Sequence, residues 1–204
     1  MTESSNGNSF VEICDVAARD GLQSEKRIWS VGERVELINR LAQTGIRRIE
    51  AVSFVNPKRV PQMADAELVM AEIDRSTGVR FSGLALNMKG VERALDAEVD
   101  EVRYVVVASE TFNQNTQGAS IAETLGGLES IAERVRESGR MFSAVIAASF
   151  GCPFEGDGST DAVGNIAQRL DEMGVNEILL ADTIGCAVPS QVRERLTAIG
   201  AVVG

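Results

Sequence analysis

An apolar strand, a polar loop and an amphipathic helix recur along this chain at a spacing of about 30 residues, and that alternation restricts the fold more than any other feature. Periodicity predicts strands near 10–16, 48–53, 80–86, 101–108, 142–149 and 177–181. Helices are predicted near 31–43, 65–74, 89–97, 121–137, 161–173 and 189–199, with 111–119 read as a long polar loop. Ser30 is placed to cap the first helix, with Glu33 three residues on as in a capping box, and Gly45 lies just beyond its end. Strands that alternate with helices this way run parallel, joined by right-handed crossovers.

Two architectures satisfy that rule, an open doubly wound sheet and a β/α barrel. Polar residues decide between them. Asp20, Glu50 with Ser53, Asn87, Ser109 with Glu110, Ser149 with Cys152, and Asp182 with Thr183 all fall at or just after strand C-termini. A barrel gathers its chemistry on that one rim from several strands. A doubly wound sheet concentrates it at one switch point, usually with a Gly-rich phosphate turn, and neither G-x-G-x-x-G nor G-x-x-x-x-G-K-[ST] occurs here. The expected class is therefore α/β, a (β/α)8 TIM-type barrel. Only about six βα units are present, so the barrel is expected to be incomplete. Residues 1–8 are expected to form a disordered polar tail and 9–204 the barrel domain.

The net charge of −10 argues against generic binding to nucleic acid or to an anionic membrane surface. No apolar run is long enough to span a bilayer, and the N-terminus has neither a secretory nor a transit pattern. Three cysteines, Cys14, Cys152 and Cys186, form no close pair, which suits a reducing cytoplasm. The chain has no histidine, so the usual general base and the usual transition-metal ligand are both missing.

The stretch Arg19-Asp20-Gly21 follows the first strand. There Asp20 suits a hard cation, Arg19 an oxyanion, and Gly21 a turn of the backbone. The alternative is a plain βα turn in which Asp20 turns the chain and Arg19 is solvated. Glu50 lies inside an apolar strand and needs a partner, because a buried unpaired carboxylate is costly; Arg19 is the candidate. Asp182 either shares a cation or a proton with another rim carboxylate or simply turns its loop ahead of Gly185. Cys152 reads as a packing residue or a chemical one, and Lys58, Arg59 and Lys89 as solvated or as phosphate contacts.

Together these motifs resemble the hydroxymethylglutaryl-CoA lyases, metal-dependent carbon–carbon lyases on a β/α barrel. The matching segments are Arg19–Lys26, Ile49–Lys58, Val60–Met63, Gly151–Gly156 and Asp182–Gly185, in the family's order. Related condensing enzymes share the opening Arg-Asp-Gly but usually continue Glu-Gln, where this chain has Leu22-Gln23, which favours the lyase branch.

The resemblance implies retro-Claisen cleavage of a 3-hydroxy-3-methylglutaryl-CoA-like thioester to acetyl-CoA and acetoacetate, a step of leucine degradation. In that scheme Asp20 ligates Mg²⁺ or Mn²⁺. Arg19 holds the thioester oxygen as the enolate forms, Glu50 orients Arg19, and Asp182 supports the cation and proton transfer. Gln23, Ser53, Asn87 and Thr183 line the site. The family's other metal ligands, two histidines of a His-x-His and an Asn, lie on elements absent from this chain. The chain is thus expected to be truncated before strand seven and inactive by itself, and the full-length enzyme to be a cytoplasmic homo-oligomer. A related aldolase or synthase, or a non-catalytic remnant, are the alternatives.

Overall fold

A computed structural model describes residues 11–204. The expectation for residues 1–8 lies outside them. Six parallel strands form one sheet in sequential order: β1 Cys14–Asp15, β2 Arg48–Ser53, β3 Arg80–Ala85, β4 Glu101–Val107, β5 Met141–Ala147 and β6 Glu177–Leu180. The helices are α1 Val31–Ala42, α2 Ala66–Glu72, α3 Met88–Asp96, α4 Glu110–Gln117, α5 Ile121–Glu137, α6 Thr160–Glu172 and α7 Pro189–Gly200. Ser30 and Glu33 do form a reciprocal capping box on α1.

The sheet is curved. Arg48 on β2 bonds Glu177 on β6, with Nη1 3.0 Å from Oε1, although the two strands are four positions apart in the sheet. In a flat sheet four strand spacings are roughly 19 Å, too far for an Arg and a Glu to meet. The six strands are therefore an arc of a barrel, with one face turned inward. Its outer face carries the main apolar core, where Ile49, Phe81, Val102, Tyr104 and Ile146 pack against Val91, Leu128, Val135, Val163 and Leu170 of the helices. Desolvation there pushes the Tyr104 phenol up to about 12. The inner face is polar and charged toward the strand N-termini. A smaller apolar cluster of Val107, Ala147, Ala148 and Cys152 lies at the opposite end of β4 and β5.

A bulge interrupts β2. Glu50 pairs with Ser82, and the next pairings are Val52 with Gly83 and Ser53 with Leu84, so Ala51 has no partner. The extra residue shifts the alternation. Ala51 and Val52 both pack in the outer core, while Glu50 and Ser53, three apart, both face inward.

Two expectations need correction. The first strand does not extend over 10–16. Among the described residues only Cys14–Asp15 is strand, and Val11 and Ile13 are 78% and 70% exposed. β1 is an edge strand paired with β2 alone, and its two residues are only partly buried. The segment 111–119 is not a loop but largely α4. It has no apolar stripe to reveal it; instead Ser109 caps it and Gly118 ends it in the left-handed region.

Buried Asn113 ties α4 down. Its Oδ1 accepts from Val107 N at 3.2 Å, and its Nδ2 donates to Ala119 O at 2.9 Å and Thr124 Oγ1 at 2.8 Å. Asn113→Ala leaves those three groups without their partner and is expected to cost about 2 kcal/mol, read as a lower urea midpoint. A midpoint unchanged from wild type would mean that α4 is held by something else.

Candidate active site

The site begins where β1 ends. Residues Ala17–Gly21 form a π-type turn, in which the N–H groups of Arg19, Asp20 and Gly21 converge on Val16 O at 3.2, 2.8 and 3.3 Å. Asp15 Oδ1 accepts from Ala17 N at 2.8 Å, and fully buried Ala18 anchors the turn. Single π-turns of this kind recur at functional sites. Gly21 does not serve the turn by a left-handed backbone: it is not among the positive-φ residues, and an added Cβ there would meet only Ala17 Cβ, at 3.8 Å. The turn is made by the wide backbone ring rather than by glycine.

Arg19 Nε bonds Glu50 Oε1, and Arg19 Nη1 lies 2.9 Å from Asp20 Oδ1. Glu50 is 2% exposed, whereas the Asp20 side chain is 65% exposed. The buried carboxylate thus holds the arginine from behind, and the exposed one flanks it at the mouth. Ser53 Oγ and Gln23 Oε1 are buried without a hydrogen-bond partner, two polar atoms in want of one.

Behind this pair stands a set of charges absent from the expected site. Glu50 Oε2 accepts from Arg103 Nη1 at 2.9 Å, and Arg103 Nε donates to Glu101 Oε1 at 2.8 Å. Glu101 Oε2 accepts from Arg48 Nη2 at 3.0 Å, and Arg48 continues to Glu177 and Glu12. The order is Arg19, Glu50, Arg103, Glu101, Arg48, Glu177: alternating charge from one end of the arc to the other. Burial alone would raise the Glu101 carboxyl; Arg103, the Ser143 hydroxyl and Arg48 outweigh it and hold it below its ordinary value. Cys14 Sγ sits 3.4 Å from Arg103 Nη2, and burial pushes its thiol up. A signal was present in the sequence: Arg48/Glu50 and Glu101/Arg103 are charges two apart on otherwise apolar strands, hence on one face.

The remaining candidates are placed differently. Asn87 Oδ1 accepts from Gly90 N at 2.9 Å and caps α3. Asp182 is exposed, and its two oxygens accept from Cys186 N at 3.0 Å and Ala187 N at 2.9 Å. The Ala187 N–H, followed by that of Cys186, keeps the Asp182 carboxyl below its ordinary value despite some desolvation. Thr183 Oγ1 accepts from Ala148 N at 2.8 Å and so ties this loop to the end of β5. Among the described residues no hydrogen bond or ion pair joins Asp182 to Arg19, Asp20 or Glu50. Cys152 Sγ is 3.0 Å from Ser109 Oγ, inside a short bridge between Cys152 and Gly156.

The family whose model matches this chain is described as HMGL-like, over residues 10–204. The human protein named "3-hydroxy-3-methylglutaryl-CoA lyase, cytoplasmic" is 38% identical over 93% of this chain and 51% of its own length. The (R)-citramalyl-CoA lyase of Chloroflexus aurantiacus is 42% identical over 89% of this chain and 61% of its own length. The crystal structure of an HMG-CoA lyase from Brucella melitensis superposes with a TM-score of 0.91 at 41% identity, covering 95% of this chain and 68% of that one. The chain thus spans about half to three-fifths of the length of these two curated relatives.

Proposed function

This chain belongs to the HMGL-like family, and from that premise we propose that it supplies the arginine end of a site that cleaves a carbon–carbon bond in a 3-hydroxyacyl-CoA thioester of the 3-hydroxy-3-methylglutaryl type. The products are acetyl-CoA and acetoacetate. The observation that carries the reading is Arg19, fixed from behind by buried Glu50 and still partly exposed, its side chain 14% accessible, beside exposed Asp20. In the cleavage the substrate hydroxyl loses its proton and becomes the ketone of acetoacetate. The electrons of the broken bond pass to the thioester, whose oxygen carries the enolate charge until the carbon is protonated. A guanidinium that cannot swing away stabilises that oxygen without reorganising. Ser53 and Gln23 offer their free hydroxyl and carboxamide to the substrate. Asp182 is the weaker candidate for proton transfer, since both its oxygens already accept backbone N–H bonds.

The resemblance implies Mg²⁺ or Mn²⁺, which when bound polarises the hydroxyl and neighbouring oxygens. Asp20 is the fitting donor, a hard and exposed carboxylate. Among the described residues, however, no group of three His, Cys, Asp or Glu side chains lies together. These residues do not make a complete cation site. Mn²⁺ is accordingly expected to bind the 204-residue chain no more tightly than ~1 mM, read by water proton relaxation; micromolar binding would mean that a ligand set has been overlooked. Turnover by these 204 residues alone is not expected.

The test is to express the whole reading frame that contains this chain and to assay it with 3-hydroxy-3-methylglutaryl-CoA and citramalyl-CoA in Mg²⁺ or Mn²⁺. Acetyl-CoA released with acetoacetate is the expected result, with turnover reduced by about 10²-fold or more in Arg19→Met. Condensation without cleavage would favour the synthase alternative, and no reaction with either thioester the remnant. The same reading places the enzyme in the cytoplasm as a homo-oligomer, with an acyl-CoA as its partner. No helix among the described residues is long and apolar enough to cross a membrane.

A further inference from the structure

We propose that Arg103 is a positioning residue that keeps Arg19 available to an oxyanion. The purpose of this arrangement rests on the proposed role of Arg19; its geometry does not.

Glu50 is a carboxylate shared between two cations. Oε1 takes Arg19 Nε and Oε2 takes Arg103 Nη1 at 2.9 Å. Arg103 is itself 2% exposed and locked by Glu101 at its Nε, while Glu101 is held by Ser143 and Arg48. Because Oε2 is occupied, Arg19 meets Glu50 through Nε and not as a two-pronged pair. Without Arg103, the free Oε2 would attract the rest of the Arg19 guanidinium, and the two would close into a bidentate pair of zero net charge. Arg19 would then turn toward the barrel interior and lose positive potential at its open side. Arg103 prevents this by drawing half of the carboxylate charge to itself. The alternation of charge along the arc thus serves Arg19, the member at its β1 end.

Lysine at 103 retains the charge but offers a single point instead of a fork, so it can serve Glu50 or Glu101 and not both at full strength. This gives a graded test on the 204-residue chain itself. Arginine side-chain ¹⁵N–¹H resonances are recorded for wild type, Arg103→Gln and Arg103→Lys, with Arg19→Lys to assign the Arg19 Nε–H signal. The wild-type Arg19 Nε–H is expected to exchange slowly with water. In Arg103→Gln its chemical shift moves and its exchange changes about tenfold as the pairing switches, and Arg103→Lys returns both partway.

An Arg19 signal that stays put in Arg103→Gln, with the backbone amide spectrum still dispersed, overturns the proposal. Loss of amide dispersion in both variants also overturns it, since Arg103 would then be structural only. Acetyl-CoA added to wild type reads the function separately: if Arg19 responds to Arg103 but not to acetyl-CoA, the positioning stands and the substrate reading falls.

Discussion

Arg48→Met is expected to destabilise the chain by about 3–5 kcal/mol, the usual cost of removing one partner from a buried ion network. The Arg48 side chain is 8% exposed and reaches carboxylates on three separate segments, Glu12, Glu101 and Glu177. Its own ionisation is driven up first by the bonds to Glu177 and held down by burial, with Glu101 adding to the rise. Methionine fills the volume but leaves Glu101, 1% exposed, with one cation fewer. For a chain of this length the urea midpoint should fall by ~1–2 M. Glu177→Gln should cost far less, because that side chain is 36% exposed and water can replace the bond.

The acid limb gives a second readout of the same substitution. The folded-state pKa of Glu101 is depressed, so its contribution is present above the ordinary carboxylate pKa and lost as pH falls through the depressed value. Without Arg48 that depression shrinks, and the pH dependence of stability below about 4.5 becomes shallower. A variant as stable as wild type at neutral pH would show that buried Glu101 does not depend on Arg48.

Phe54→Ala is expected to cost about 3–5 kcal/mol, and Gly83→Ala about 1–3 kcal/mol by the opposite fault. The Phe54 ring lies over Gly83 so closely that an added Cβ there would sit 2.5 Å from Phe54 Cε2 and 3.1 Å from Val99 Cγ1. The Arg93 guanidinium is stacked on the same ring, 5.6 Å from its centroid, donates to Phe54 O at 3.1 Å, and pairs with Glu67 of α2. Glycine is required at 83 by this close approach and not by its backbone, because its φ is ordinary. The two substitutions should therefore fail to add. With Phe54 gone, the alanine at 83 fills part of the hole, and the double variant should be no less stable than Phe54→Ala. Strict additivity in the urea midpoints would mean that the ring does not rest on that glycine. The contact also bears on the site, because Phe54 follows Ser53 directly and its clamp fixes where β2 leaves the sheet.

Much of this was legible in the chain. The alternation of strand and helix was enough to foresee parallel strands, and the polar residues gathered at their C-terminal ends pointed to the barrel, whose sequential order the sheet has. Glu50 announced its need for a partner by lying in an apolar strand, and Arg19 meets it. What could not be read was which charge meets which across long sequence separations. Arg48 and Glu177 lie 129 residues apart, and only the curvature of the sheet brings them together. The α4 helix was hidden for a related reason: Asn113 holds it by tertiary hydrogen bonds, which leave no hydropathy pattern. Asn87 and Asp182 both stand at strand ends in the sequence; whether a side-chain oxygen there caps a helix, ties a loop or waits for a substrate depends on neighbouring N–H groups whose positions no local pattern records.

The bulge in β2 leaves the chain with a spare residue in the middle of a parallel sheet, a place where lengths are ordinarily rigid. Ala51 has no pairing partner, so a chain one residue shorter there could keep all five of its remaining pairings with β3. What it would forfeit is the local bend, and with it the distance between Glu50 and Ser53 along the inner wall. The gap between an arginine's anchor and a substrate-facing hydroxyl is thus adjustable by a single codon, without re-registering the sheet that carries them.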